Sequence, residues 1–231
     1  MMKRSPFTKD LHAIVPVNVP SKSKKRLSCR LDANQRASLT IAMLTNVLIA
    51  LKKSDSVGSV TVVCADRRLQ MLVEGCAATF LWEGRRRGLN PALNLAMKEV
   101  TSDSAVLIIH ADLPLLTSDD VDDLVRRTRN YSLTLVPSKD GTGTNAILMQ
   151  SPSMIRLAFG KGSFRKHDML AKKSGVAYRV LRIHGVAFDV DDEQDLDELM
   201  RHQVNGQTTR RMKGTFEPEV TRMLPILVKS R

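Results

Sequence analysis

"AVLIIHADLPLLTSDDVDDLVRRTR", residues 105–129, passes from an unbroken apolar run through a proline-containing turn into a stretch with helical spacing. The run "AVLIIH" is too short for an independent helix and reads as a strand buried on both faces, the kind that parallel sheets use. Pro114 breaks the strand, and Thr117 or Ser118 is placed to cap a helix over 118–129 that has acids in its first turn and arginines in its last. That polarity complements the helix dipole. Strand, turn and helix in this order make half of a βαβ unit.

The same alternation continues in both directions. Upstream, strands at 12–17, 59–64 and 78–82 are interleaved with helices over about 34–53, 67–74 and 89–100. Downstream, strands are expected at 132–137, 145–150, 178–183 and 186–190, with helices near 163–174 and from the acidic stretch to about 202. The later strands are closer together, which leaves room for an antiparallel element. The expected fold class is therefore α/β, a mainly parallel sheet sandwiched by helices. Ligands of such sheets bind beyond the carboxyl ends of the strands, and each chemistry-bearing stretch below lies at such an end.

Composition narrows the function classes. The 231 residues, 42% apolar and 26% charged, suit one α/β domain, placed at 12–204, with basic tails at 1–11 and 205–231. No apolar run approaches the ~20 residues of a membrane helix, and "LTIAMLTNVLIAL" (39–51), broken by Thr and Asn, reads as a buried amphipathic helix. The N-terminus has no apolar core of a secretory signal, so a cytoplasmic location and no membrane partner are expected. Cys29, Cys64 and Cys76 are odd in number and lack metal-type spacing, which argues against a disulfide framework or a zinc site.

The net charge is +12, and half of it lies in residues 1–11 and 206–231. Elsewhere the basic residues form two clusters, "KSKKR" (22–26) and "RRR" (85–87), in loops after strands. That pattern suits a polyphosphate at least as well as a nucleic acid. Only 4% of residues are aromatic, so stacking platforms for single strands are scarce. In the C-terminal tail, "VTRMLPILV" (220–228) is a candidate edge strand or dimer interface.

Five stretches carry the chemistry. In "HADLPLL" (110–116), Asp112 stands at a strand end, where a carboxylate suits Mg²⁺ and equally serves to shape the turn. "FDVDDEQDL" (188–196) packs five acids into nine positions. If its strand continues through Val190, Asp189 and Asp191 share a face and repel unless a cation lies between them. The acids from Asp192 onward are explained by helix capping and solvation. "VPVNVPSKSKKRL" (15–27) has four basic residues and no glycine, so it is neither a Walker loop nor a dinucleotide fingerprint, though its side chains suit a triphosphate. "GTGTNAILM" (141–149) and "FGKGSFRKH" (159–167) each join glycines to a hydroxyl residue and are expected to form anion nests.

Taken together, "VPV…KxRL", "GLNPAL", "ADLPLL", "GTNA", "FGxGSFxxH" and "FDVD" resemble, in family order over roughly 12–200, the 2-phospho-L-lactate guanylyltransferase family of coenzyme F420 biosynthesis. The family includes phosphoenolpyruvate and 3-phosphoglycerate guanylyltransferases. The resemblance implies a Rossmann-like α/β sandwich of the nucleotide-diphospho-sugar transferase and molybdenum-cofactor nucleotidyltransferase type, with GTP as substrate and Mg²⁺ as cofactor. It further implies Asp112, Asp189 and Asp191 as metal carboxylates, and Lys24 and Arg26 facing the GTP phosphates as catalytic groups with Asp112. Thr144, Gly160 and Ser163 would contact the phospho-acid acceptor, and Asn90 would lie near the nucleoside. Two positions depart from the family pattern: Asn18 stands where a lysine is usual, and Arg87 where a glycine is common. A molybdenum-cofactor or sugar-nucleotide nucleotidyltransferase and a noncatalytic nucleic-acid-binding protein are the rival readings. "FGxGSF" and the absence of a glycine-rich first loop count against the first rival.

Overall fold

The computed structural model describes residues 11–85 and 88–210; of the tails expected at 1–11 and 205–231, residues 1–10 and 211–231 lie outside these residues, and 205–210 continue the last helix. Seven strands, β1 (Leu11–Val17), β2 (Val57–Cys64), β3 (Thr79–Trp82), β4 (Val106–Ile109), β5 (Leu133–Pro137), β6 (Thr144–Met149) and β7 (Tyr178–Val180), form one sheet in the order β3-β2-β1-β4-β6-β5-β7. Every pairing is parallel except those of β6, which runs antiparallel to both β4 and β5. Its direction follows from the short turn before it. Ser138 N–H donates to Gly143 O at 3.0 Å, and the Asp140 carboxylate accepts from the Ser138 hydroxyl and from Thr142 N–H and O–H. Those bonds hold Asp140 at about 2. A side chain at Gly143 would place Cβ only 2.9 Å from Ser138 Oγ, so the turn needs glycine there.

The helices are α1 (Ala33–Lys53), α2 (Gln70–Gly75), α3 (Leu89–Met97), α4 (Ser118–Thr128), α5 (Ser163–Ser174), α6 (His184–Ala187) and α7 (Glu193–Arg210). Capping boxes open two of them, Asp32 with Gln35 for α1 and Thr117 with Asp120 for α4, so Thr117 rather than Ser118 is the cap. Consecutive strand residues feed opposite layers, as the pleat requires. Val15 and Leu107 pack with Leu44 and Val121 on one face, whereas Ile14 and Ile108 pack with Leu93 on the other. The doubly covered, mainly parallel sheet expected from the sequence is what forms.

The stretch 186–190 is a correction. His184–Ala187 is a short helix, and the chain continues extended into Asp191 without joining the sheet. Periodicity alone cannot separate a short buried strand from a short buried helix. Close packing and a buried amide hold the alternative: a Cβ on Gly185 would lie 2.9 Å from Leu115 O, and Asn145 donates to the carbonyls of Val186 and Ala187, both at 3.1 Å. The alternation survives nonetheless. Phe188 and Val190 are buried against Leu27, Leu39 and Met43, which turns Asp189 and Asp191 the other way. The strand expected to run to 183 also stops early, at Val180.

Neighbours β2 and β4 flank β1, so the strand order reverses its advance between β1 and β4. Crevices at such switch points are where open α/β sheets bind ligands. One buried side chain shapes the crevice wall. Asn46, in the middle of α1, directs its amide at the carbonyls of Leu113, Pro114 and Leu116, the turn that follows Asp112. Asn46→Ala leaves these carbonyls without that donor, and we expect a stability loss of about 1–3 kcal/mol. That corresponds to a fall of about 2–10 °C in melting temperature for a chain of this size. An unchanged thermal denaturation midpoint would show that the amide is dispensable.

Candidate active site

A cavity of about 270 Å³ opens at the switch point. The end of β1 contributes Val17 and Asn18, the following loop Ser23 and Lys24, α1 Thr40, and the loop after β4 His110 and Asp112. Asp191 also reaches it, while Glu83, Leu89 and Ala92 line it from β3 and α3.

Lys24 sits at the centre of the charged wall. Its ammonium donates to Asp112 Oδ2 at 2.6 Å and to Asp191 Oδ1 at 2.9 Å, with only 7% of its side chain exposed. Burial alone would lower the Lys24 pKa, but the two carboxylates outweigh it and hold the group well above the usual ammonium range. The backbone is bent to allow this: Lys24 adopts the left-handed region at φ 50° and ψ 40°, which costs a non-glycine residue about 1–2 kcal/mol. Ser23 fixes the approach, its hydroxyl bonded to Pro20 O at 2.8 Å and to Thr40 Oγ1 at 2.7 Å.

Around this ammonium the carboxylates are unequal. Burial would raise Asp112, but Lys24 holds it below the usual range. Asp189 goes the other way, pushed up to about 6 by burial and by the charge of Asp112, against a 3.1 Å bond from Asn145. Asp112 Oδ1 is shielded from solvent and has no hydrogen-bond partner. His110, pushed down by its own burial, stands with Nδ1 3.9 Å from that oxygen and its ring 5.4 Å from Phe159. Among the described residues no three His, Cys, Asp or Glu side chains converge into a ready-made metal cage. Lys24 bridges two of the three expected aspartates, Asp112 and Asp191, while Asp189 beside them accepts from Asn145.

Residues 11–228 match the family described as "Guanylyl transferase CofC like". The chain belongs to this CofC-like guanylyl transferase family. The match also runs into the segment after 205 that the sequence analysis set apart as a tail. Among relatives, the phosphoenolpyruvate guanylyltransferase of Sphaerobacter thermophilus is 37% identical over 200 residues, 85% of this chain and 96% of that one. The 2-phospho-L-lactate guanylyltransferase of Methanocaldococcus jannaschii is 28% identical over 224 residues, 96% and 97% of the two chains. Solved structures agree on the fold. A Desulfovibrio desulfuricans G20 protein provisionally classed as a nucleotide-diphospho-sugar transferase superposes with TM-score 0.70 at 17% identity, covering 95% of this chain and 97% of that one. CMP:2-keto-3-deoxy-manno-octonic acid synthetase in complex with CTP gives 0.54 at 12% identity, over 85% and 99%.

Within this CofC-like chain the motif residues are placed unevenly. Lys24, Asp112 and Asp191 line the cavity together, with Asp189 beside them. Arg26 is exposed on the short 3₁₀ turn Lys25–Leu27, away from the cavity wall. Asn90 spends its amide on the backbone of Phe159, donating to the carbonyl at 3.0 Å and accepting from the N–H at 2.8 Å, so it ties α3 to the loop before α5. Thr144 and Ser163 are buried and joined, Thr144 N–H donating to Ser163 Oγ at 2.9 Å. Several backbone N–H groups of the two expected nests already have protein acceptors: Ser163 N–H donates to Gly160 O, Phe164 N–H to Thr142 O, Gly141 N–H to Ser138 O and Gly143 N–H to Ser138 Oγ. Asn18 is exposed at the cavity rim, and Arg87 lies outside the described residues.

Three contributors escaped the sequence analysis. Asn145 stood inside the quoted "GTNA" without being singled out, although an amide in a strand, where Asn is disfavoured, was a signal. Thr40 broke an apolar run, and Glu83 is an isolated acid beside three arginines. Nothing local in the sequence marks the left-handed backbone of Lys24, because no glycine stands there.

Proposed function

We propose that this protein transfers GMP from GTP to the phosphate of a small phospho-acid, 2-phospho-L-lactate, phosphoenolpyruvate or 3-phospho-D-glycerate, releasing pyrophosphate, in coenzyme F420 biosynthesis. The observation that carries this reading is the Lys24–Asp112–Asp191 cluster in the switch-point cavity of a CofC-like chain. An acceptor phosphate oxygen attacks the α-phosphorus of GTP; the new bond is that oxygen to Pα, and the bond from Pα to the bridging oxygen of the β-phosphate breaks. The acceptor is already an anion at neutral pH, so no strong base is required, and a buried neutral His110 is consistent with that. The obstacle is bringing two polyanions together, which fixed positive charge offsets.

Lys24 uses two of its three N–H donors on carboxylates and has a third for a phosphate oxygen. The residues fit a magnesium ion in one respect: Asp112 offers a shielded, unpartnered oxygen, and Asp189 and Asp191 stand beside it. Mg²⁺ needs only one or two protein carboxylates when substrate phosphates complete its shell. When bound there, it would supply Lewis-acid neutralisation of charge on the reacting phosphates. Arg26, exposed on the turn after Lys24, would act on the triphosphate only from outside the cavity.

Hydrogen bookkeeping supports Thr144 and Ser163, beside Gly160, as acceptor contacts. Ser163 Oγ accepts from Thr144 N–H, so its own hydrogen is free to be donated. His167 Nε2 accepts from Ala158 N–H, which places the ring hydrogen on Nδ1, facing Thr144 Oγ1 at 3.0 Å. Burial lowers His167 to about 4, so the ring is neutral at physiological pH and the Thr144 hydrogen is likewise available. These donors grip anionic groups and do not read a methyl against a methylene, which is worth only about 1–3 kcal/mol. We expect overlapping use of phospholactate and phosphoenolpyruvate. The test is pyrophosphate release and product mass with GTP, Mg²⁺ and each acid, singly and in competition. GTP cleavage no faster with any acid than without one would overturn the proposal.

A further inference from the structure

Resting on the acceptor reading above, we propose that His167 is the positioning residue of the acceptor site, its ring nitrogens holding the loop that carries Gly160 and turning the Thr144 hydroxyl hydrogen toward the phospho-acid. Ser163, His167 and Ala171 recur every four residues and form the buried face of α5, so Ser163 and His167 lie one above the other. That face meets the start of β6, where Thr144 N–H donates to Ser163 Oγ at 2.9 Å and Thr144 Oγ1 stands 3.0 Å from His167 Nδ1. The chain before α5 has no regular structure at 156–159, so its backbone groups need partners from side chains. His167 Nε2 accepts from Ala158 N–H at 2.9 Å, and Asn90 engages both backbone groups of Phe159. The Phe159 ring, packed edge-on against His167 at 4.7 Å, closes the arrangement.

Both imidazole nitrogens are thus engaged, and the ring is fully buried. A neutral imidazole has one donor and one acceptor, and the bond made by one nitrogen decides the state of the other. With Ala158 N–H on Nε2, the hydrogen is on Nδ1 and is given to Thr144 Oγ1. The Thr144 hydrogen then cannot point at the ring and is left for an anion. The opposite tautomer would draw that hydrogen into the ring and present oxygen lone pairs to the phospho-acid, a repulsive contact. One backbone N–H in the loop before α5 therefore sets, through one ring, the polarity of a hydroxyl on β6. A residue acting in this way changes acceptor affinity and leaves the nucleotide cavity at Lys24 and Asp112, which it does not line, as it is.

The test is a double-mutant cycle on the full chain with Thr144→Val, which removes the hydroxyl and keeps the shape. His167→Gln keeps an oxygen near the Nε2 position for Ala158 N–H and puts no donor at Nδ1. It is expected to raise the KM for phosphoenolpyruvate about 10-fold, with GTP affinity by calorimetry unchanged. In the Thr144→Val background the same substitution should change that KM by less than about 2-fold. Equal effects in both backgrounds, or a parallel loss of GTP affinity, would mean that His167 only holds the fold together and would overturn the inference. Nitrogen-15 NMR of the histidine rings decides the matter in the natural chain, without any substitution: His167 is expected as the Nδ1–H tautomer, and a hydrogen on Nε2 overturns the inference. If no acid supports GTP cleavage, the transferase reading fails and the cycle is read from phosphoenolpyruvate affinity instead, with the same two outcomes. If the acid does not bind either, both fall.

Discussion

Asp112→Asn is expected to lower GTP-dependent pyrophosphate release by about 10²–10³-fold, the usual cost of removing one preorganised charge partner from a reacting centre. Three observations single out this carboxylate. It makes the 2.6 Å bond to Lys24, it retains an unpartnered, shielded oxygen facing the proposed cation position, and it lies in the loop that Asn46 braces. The substitution keeps shape and one acceptor, so circular dichroism should be unchanged. Asp191→Asn should act in the same direction. Mg²⁺-dependent turnover at the natural rate in the Asp112 variant would remove the carboxylate cluster from the mechanism.

Asp189→Asn should lose turnover and yet gain stability, and the gain should depend on pH. In the folded protein this carboxyl is pushed up to about 6 by burial and by Asp112, whereas in an unfolded chain aspartate titrates near 3.9. Between these values the folded state binds more protons than the unfolded one, so stability is withdrawn as pH rises through the interval and is fully lost above about 6. The cost at neutral pH is of the order of 1–3 kcal/mol. Asparagine never pays it and can still accept from Asn145 Nδ2. The variant should therefore melt several degrees higher than the natural chain at pH 7.5, with the difference closing as the pH approaches 4. A variant less stable at neutral pH would mean that Asp189 is a structural carboxylate held by Asn145, with no penalty to relieve.

The opposite signs expected for activity and stability at Asp189 are what a charge cluster built for a cation should give, and they bear on how legible the site was. The sheet could be read from the sequence because buried parallel strands are short apolar runs with caps and breakers at their ends, as 105–129 illustrates. The segment 184–191 was misread because Gly185 and Asn145, far apart in sequence, settle it through a close approach and a buried amide. The carboxylates could be named, but not their coupling to Lys24, which depends on a left-handed backbone at a residue without glycine's freedom. Asn90 was legible as part of a motif, whereas its partner, the Phe159 backbone, is visible only once α3 and the loop before α5 are packed together.

The most direct measurement is phosphorus NMR of the reaction mixture with a phospho-acid whose phosphate oxygens carry a heavy-oxygen label. Attack by the acceptor phosphate on the α-phosphorus of GTP should produce two mutually coupled diphosphate resonances, with all the label in the nucleotide product and none in pyrophosphate. Label appearing in pyrophosphate, or GTP consumed without coupled resonances from a joined product, would contradict the transfer of GMP to the phospho-acid.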